Sequence, residues 1–414
     1  MDDYRLNKKK ILNDPVFGFI SIPDDLLFDI LEHPWFQRLR RIKQLGLTYL
    51  VYPGALHTRF HHAIGAMGLM QDALKVLHEK GHQVTEHEKQ AVLIAILLHD
   101  IGHGPFSHAL EHSIIKNVNH EDLSLLFMEQ LNLQFNGKLQ TAIQIFKNEY
   151  PKKFLHQLVS GQLDVDRLDY LKRDSFFTGV SEGVIGTERI IKMLNVVDDE
   201  LVIEAKGIYS IEKFILARRL MYWQVYLHKT VLSAEQMLVK VLQRAQYVSR
   251  QGGDLFATSD LKFFLENEVT YQDVCHHPEL LDHYAALDDF DITAALKGWK
   301  NHEDKILREF SGYLLNRKLF RLELQNKPFD EDVTCSLRNK WKSKNPGFEN
   351  LVEYYVFSGS TENNAYNPEI EHIKVLLKEG RLEDFTTTSE ELNVSMITQM
   401  IHKNYICYPK SLVL

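Results

Sequence analysis

The stretch Ala91-Val92-Leu93-Ile94-Ala95-Ile96-Leu97-Leu98-His99-Asp100-Ile101-Gly102-His103-Gly104-Pro105-Phe106-Ser107-His108 decides how this 414-residue chain is read. It opens as an apolar run, too short to cross a bilayer and too uniform to lie on a surface, which predicts a buried helix. That helix ends on His99 and Asp100, two groups able to hold a metal. Gly102, Gly104 and Pro105 then force a turn from which His103 and His108 are presented. A histidine at a helix C-terminus is favoured by the helix dipole alone, but the dipole does not account for the two that follow. Three histidines and a carboxylate at a buried helix end are costly to desolvate unless a cation compensates.

Composition sets the frame for this stretch. The chain is 44% hydrophobic and 25% charged, ordinary for a soluble globular protein, and long enough for a large core. A net charge of −8 argues against general nucleic-acid binding. Cys275, Cys335 and Cys407 are isolated and odd in number, so they form no disulfide framework. The first residues carry no apolar leader and no run spans a membrane, so the expectation is a cytoplasmic protein. Histidine, with 20 residues, is the unusual component.

Outward from the opening stretch, the pattern is mostly helical. Residues 10–20 read as a short strand or loop docked on the core. Asp24 and Asp25 can cap a helix from about Leu26. Pro34 opens a helix to Gly46 with apolar positions at 35, 36, 39, 42 and 45; Arg38, Arg40, Arg41 and Lys43 face the other way, as a solvated face or an anion-binding edge. Tyr49–Pro53 reads as extended. Helices are expected from Arg59 to about His78, from Glu86 to Leu98, from Asn119 as N-cap, and over 142–159 with a break at Pro151. Asp166, Asp169, Tyr170 and Asp174 share one helix face. Leu201–Glu204 reads as a hairpin strand, Ser210–Val248 as one long helix, and 259–325 as exposed helix. Beyond Pro328 short strands are expected at 352–357, 373–377, 381–385 and 405–408, the middle pair joined at Glu379-Gly380. The fold class read from this is mainly α, with residues 1–250 as the core, 251–326 as a helical extension and 327–414 as a small α+β lobe.

His62 on one helix, His99-Asp100 on a second and Asp166 on a third make a mixed nitrogen and oxygen ligand set. Such a set suits Fe, Mn, Zn or Co and leaves positions open for water and phosphate. The order His62, His99-Asp100, Asp166 resembles the HD-domain metal-dependent phosphohydrolases. Further blocks carry the resemblance to the deoxynucleoside triphosphate (dNTP) triphosphohydrolases, specifically those that join a SAM domain to an HD domain, here without a SAM counterpart. These blocks are Gln37-Arg38-Leu39-Arg40, Ile42–Gly46, Pro53-Gly54-Ala55, Arg59-Phe60, Gly102–His108, Asp164-Val165-Asp166, Asp169-Tyr170 and Arg173-Asp174. The likeness is strong over roughly 10–230.

The resemblance implies an HD helical core and a set of roles. His62, His99, Asp100 and Asp166 hold the metal, with Mg accompanying the substrate phosphates. Arg59, His103, His108, Arg167 and Arg218 surround the triphosphate; Arg167 stands where the relatives have Lys. Gln44, Leu45, Tyr170, Asp174 and Tyr226 face the sugar and base, the Tyr170 ring leaving no room for a 2′-hydroxyl. His108, Glu111, His120 and Glu121 match the acid/base cluster, with His108 protonating the leaving nucleoside oxygen after attack of a metal-activated water on the α-phosphorus. His57, His61 and His112 read as structural or solvent-exposed. An activating nucleotide between subunits of a homodimer or homotetramer is implied at Lys10, Asn13, Glu32, Gln37 and Arg40, with Arg189, Lys206, Arg317 and Arg321 for a second nucleotide. Glu32 replaces an Asp there, Ile208 a Lys, and Leu227 replaces a Gln near the base. Two other readings stand beside this one: an HD phosphohydrolase of a nucleoside monophosphate or signalling nucleotide, and a nucleotide sensor with a structural metal.

Overall fold

Six helices position the opening stretch: α1 (Arg59–Glu79), α2 (Glu86–Leu98), α3 (His120–Gln134), α4 (Val165–Thr178), α5 (Ile208–Met221) and α6 (Lys229–Arg250). The structure is a computed structural model describing residues 10–363, 372–389 and 400–412, without the side chains of His108, His112 and Asn363. Helix α2 begins at the Thr85–Glu88 capping box and buries every residue from Ala91 to Leu98. Such all-round apolarity suits a helix enclosed on every side. Helix α1 packs on both α2 and α4, so three helix segments converge where α2 ends. Helix α3 starts at Asn119, whose side chain accepts from the Asp122 amide. It docks on the turn after α2 through Gly102, whose amide donates to Ser124 Oγ at 2.9 Å. A Cβ at Gly102 would lie 2.3 Å from the His120 carbonyl, so only glycine permits this approach.

Several expected elements form as read. Residues Ile11–Asp14 and Gly18–Ser21 pair as a hairpin, and Asp24 caps Asp25–Glu32. Helices Gln140–Phe146 and Lys153–Val159 flank Pro151. Strands Leu194–Val197 and Glu200–Glu204 form a hairpin, and Lys374–Leu376 with Leu382–Asp384 form another around Gly380. Strand Lys374–Leu376 runs parallel to Glu200–Glu204, while Arg321–Gln325, Ile401–Tyr408 and Phe357–Asn363 make a separate sheet. The chain is mainly α with a small α+β C-terminal lobe.

Other expectations fail where tertiary contacts override local pattern. The helix read over 34–46 has one α turn, Pro34–Gln37, then a 3₁₀ turn, Arg38–Arg41. Arg38 is buried and donates to the Ile101 carbonyl at 2.6 Å, and Lys43 bridges to Thr58, which ends helical geometry. The basic residues there do not form one face: Arg38 is buried, Arg41 pairs with Asp288 and Lys43 with Asp289, while Arg40 and Arg41 remain exposed. Residues Gly46–Leu50 form a 3₁₀ turn, where 49–53 reads as extended. The long helix read over 210–248 is two helices split by a π-turn at Tyr222–Tyr226, with His228 capping α6. Residues 259–315 form several helices that bury Leu261, Trp299 and Phe310, so they are not an exposed extension. Residues 352–355 are helical and the strand begins at Phe357.

Candidate active site

Helices α1, α2 and α4 bring four predicted ligands to one point. His62 Nε2 lies 3.2 Å from His99 Nε2 and 3.1 Å from Asp166 Oδ1, and His99 Nε2 lies 3.5 Å from Asp166 Oδ1. The Asp100 carboxylate approaches His62 and His99 at 3.6 and 3.5 Å. The outer ring nitrogens are engaged by acceptors: His62 Nδ1 donates to Asp169 Oδ2 at 2.7 Å, and His99 Nδ1 to the Ile96 carbonyl at 2.7 Å. Both Nδ1 atoms then carry the protons, and both Nε2 lone pairs face the shared point. Two lone pairs and two carboxylates this close repel one another unless a cation lies between them, so the donor set fits a divalent metal. Without a cation at that point, a proton on His62 Nε2 would take its place among the same groups. Burial opposes a charge on His62, yet Asp166 and Asp169 push its pKa up to about 10. Burial likewise opposes charge on Asp166, which His62 and His99 hold well below the usual carboxylate range.

A buried support lies behind the ligands, and its members were not singled out in the sequence as site residues. Arg173 grips Asp169 with two hydrogen bonds of 2.9 Å and reaches Asp14 at 2.7 Å. Gly65 of α1 lies against this pair; a Cβ there would sit 2.0 Å from Arg173 Nη2 and 2.1 Å from Asp169 Oδ1. The four-residue spacing of Asp169 and Arg173 on a helix was the available sequence signal.

A cavity of about 360 Å³ opens on two of the candidate ligands, Asp100 and Asp166. At the near end stand Asp100, Asp166, Arg59, His103 and His120. Arg59 pairs with Asp100 and donates Nε to Ser107 Oγ at 2.8 Å. Phe106 and Ser107 take left-handed backbone with φ of 53° and 51°, a strained turn held by the Phe106 amide on Asp289 at 2.7 Å. Further along are Gln44, Leu45, Tyr170, Asp174, Tyr226 and Leu227. Asp174 accepts from His57 Nε2 and from the Tyr226 hydroxyl, each at 2.7 Å, and the Tyr170 and Tyr226 rings meet edge to face at 6.1 Å. His57 is thus structural, stacked on Phe177. Tyr222 and Glu235 also line this wall and were not anticipated. Glu235 is half-buried on α6, and burial pushes its carboxyl up to about 8.

Other predicted residues do not themselves line the cavity. Arg167 turns to Asp164 and the Gly161 carbonyl, and Arg218 is buried against Gln162 at 3.4 Å. Glu111 accepts from both the backbone and the ring of His120, at 2.8 and 2.6 Å, and the His120 ring lies 3.9 Å from that of His103. Glu121 is exposed in the first turn of α3. The side chain of His108 lies outside the described residues. Of the expected regulatory residues, Lys10 pairs with Glu32 at 3.3 Å and Arg40 donates to Gln37 at 2.8 Å, with Asn13 on the nearby hairpin. Arg189 contacts the Lys206 carbonyl at 3.1 Å, Arg317 binds the Leu50 carbonyl and Arg321 pairs with Glu323.

Comparison with known proteins places these features in a family. The HD domain matches residues 59–174 and the HD associated region matches 185–266. The chain is 32% identical to the uncharacterized protein YwfO of Bacillus subtilis, over 99% of this chain and 94% of that one. It is also 32% identical to the human deoxynucleoside triphosphate triphosphohydrolase SAMHD1, over 57% of this chain and 44% of the human one. The chain therefore spans under half the length of that enzyme. A crystal structure of a phosphohydrolase from Bacteroides thetaiotaomicron superposes with a TM-score of 0.94 at 52% identity, covering 97% of this chain and all of the other.

Proposed function

This chain belongs to the HD-domain phosphohydrolases, and we propose that within the family it is a metal-dependent dNTP triphosphohydrolase, releasing a deoxynucleoside and inorganic triphosphate. One observation carries this reading: the cavity lined by the candidate ligands Asp100 and Asp166 is also walled by Tyr170, Asp174 and Tyr226. Phosphates are favoured beside Arg59 and the histidines, and the tyrosine wall suits a sugar without a 2′-hydroxyl.

His62, His99, Asp100 and Asp166 would hold the metal, which supplies Lewis acidity toward phosphate and lowers the pKa of a water. Arg59 and His103 neutralise phosphate charge as it develops. In the proposed step water adds to the α-phosphorus, losing one proton to solvent, while the bond to the nucleoside oxygen breaks. His108 gives that oxygen its proton. Glu111 orients His120 by its 2.6 Å contact. Lys10, Glu32, Gln37 and Arg40 are proposed as the edge of an activating nucleotide site shared between subunits of a dimer or tetramer.

A second reading is favoured by the basic residues: Arg167 and Arg218 do not line the cavity, which leaves Arg59 as its only arginine among the described residues. That complement suits a shorter phosphate chain, as in a nucleoside monophosphate. Incubation with each dNTP, NTP and dNMP and with Mn²⁺ or Mg²⁺ separates the readings. Triphosphate release from dNTPs is the expected result; orthophosphate alone, or activity confined to monophosphates or NTPs, refutes it.

A further inference from the structure

The metal ligands are joined to the N-terminal hairpin by an unbroken chain of buried charges. Asp14 ends the first strand and is 2% exposed. Its Oδ1 closes the hairpin turn by accepting from the Val16 and Phe17 amides, both at 2.9 Å. Its Oδ2 accepts from Arg173 Nη1 at 2.7 Å. Arg173 in turn holds both oxygens of Asp169, and Asp169 holds Nδ1 of His62. Arg173, Asp169 and His62 are each 0% exposed, so water offers none of them a substitute partner.

We propose that Asp14, Arg173 and Asp169 are positioning residues that couple docking of the Ile11–Ser21 hairpin to metal binding at His62. His62 is a ligand through Nε2 only while Nδ1 keeps its proton, and the Asp169 carboxylate enforces that tautomer. The orientation of Asp169 is set by the two-pronged grip of Arg173. Nη1 of Arg173 has its acceptor in Asp14, which is in place only when the hairpin turn is docked. The hairpin is seated there by Phe17, whose ring lies 5.5 Å beneath the Arg173 guanidinium, and by Ile20 against Gly68 of α1. Coupling of this kind is reciprocal: if the docked hairpin favours metal, metal favours the docked hairpin by the same free energy. Lys10 and Asn13, beside Asp14 on this segment, thereby gain a route to the metal.

The inference rests on the metal-site reading and not on the identity of the nucleotide. The test uses the full chain stripped of metal, with Mn²⁺ as probe. Amide hydrogen exchange over residues 11–21 of the unsubstituted protein is expected to slow about tenfold or more when Mn²⁺ binds. Asp14→Asn keeps an oxygen for the turn and removes the charge; it is expected to weaken Mn²⁺ binding about 10–100-fold and to abolish the metal's protection of the hairpin. Hairpin exchange indifferent to bound Mn²⁺, a measurement that needs no variant, overturns the coupling. So does an Asp14→Asn protein that binds Mn²⁺ with unchanged affinity. If the unsubstituted protein binds no divalent metal, the metal-site reading itself falls, a distinct outcome.

Discussion

Gly65→Ala sets two effects of opposite sign against each other. In the interior of a helix such as α1, replacing Gly with Ala contributes about 1 kcal/mol of stability through backbone entropy and propensity. At this position the added methyl would lie 2.0 Å from Arg173 Nη2 and 2.1 Å from Asp169 Oδ1, far inside contact distance. Arg173 is long, but it cannot swing aside freely, because hydrogen bonds to Asp169 and Asp14 hold it in an interior without water. Overpacking of this kind costs about 1–3 kcal/mol. Breaking a buried ion pair costs about 3–5 kcal/mol, of which a partial displacement incurs a fraction. The steric and electrostatic costs outweigh the propensity gain, for a net loss of about 3 kcal/mol. Gly68, in the same helix, is the control: a Cβ there meets only Ile20 carbons, at 3.3 and 3.4 Å. Urea denaturation followed by circular dichroism at neutral pH measures both variants. Gly68→Ala should fall within about 1 kcal/mol of the parent protein. A Gly65→Ala protein as stable as the parent would refute the claim that Arg173 is held rigidly.

The remaining expectations concern chemistry and pH. Asp166→Ala should lose bound metal and hydrolysis together. His108→Ala should keep metal and lose turnover by about 10²–10⁴, read by metal content and product release; surviving turnover would move the acid role to His120. Burial works against the Glu88 charge, but Lys152, Thr85 and Tyr150 hold its pKa at about 2 against an ordinary 4.5. The folded value lies below the unfolded one, so this contribution is complete above pH 4.5 and is lost as pH falls toward 2. Glu88→Gln should therefore cost up to about 3 kcal/mol at pH 7 and little near pH 2.5; equal losses at both would contradict the assignment. Glu235 has the opposite sign. With its carboxyl raised from 4.5 to about 8, its charge opposes folding increasingly as pH rises from 4.5 to 8. Glu235→Gln should raise Tm more at pH 8 than at pH 5, and an identical shift at both values would rule this out.

Local chemistry made the helix framework legible. The apolar run 91–98, the Asn119 and Asp24 caps, the break at Pro151 and the turn at Gly380 each follow from interactions within a few residues, and each forms as read. The four ligand candidates were also visible, because histidine and aspartate at the ends of apolar helices are costly without a cation, and the fold brings them within 3.1–3.6 Å. The helix expected over 34–46 was not settled by its own pattern. Its apolar spacing is helical, but Arg38 finds acceptors at Ile101 and Leu287, far away in the chain. The cavity wall has the same character: Glu235 and Tyr222 carry no local mark, and they line the cavity from either side of the π-turn that joins α5 to α6.

What the sequence determined by itself was therefore the mainly α class, the helix that ends on His99-Asp100, and the residue types able to hold a metal. Only the tertiary structure decided which arginines face the cavity, and that Arg167 and Arg218 do not. It alone joined Asp14 to Arg173 across 159 residues and required glycine at position 65. The reason is physical: caps, turns and periodicity act over a few residues, whereas a buried charge takes whichever partner the packed core brings to it.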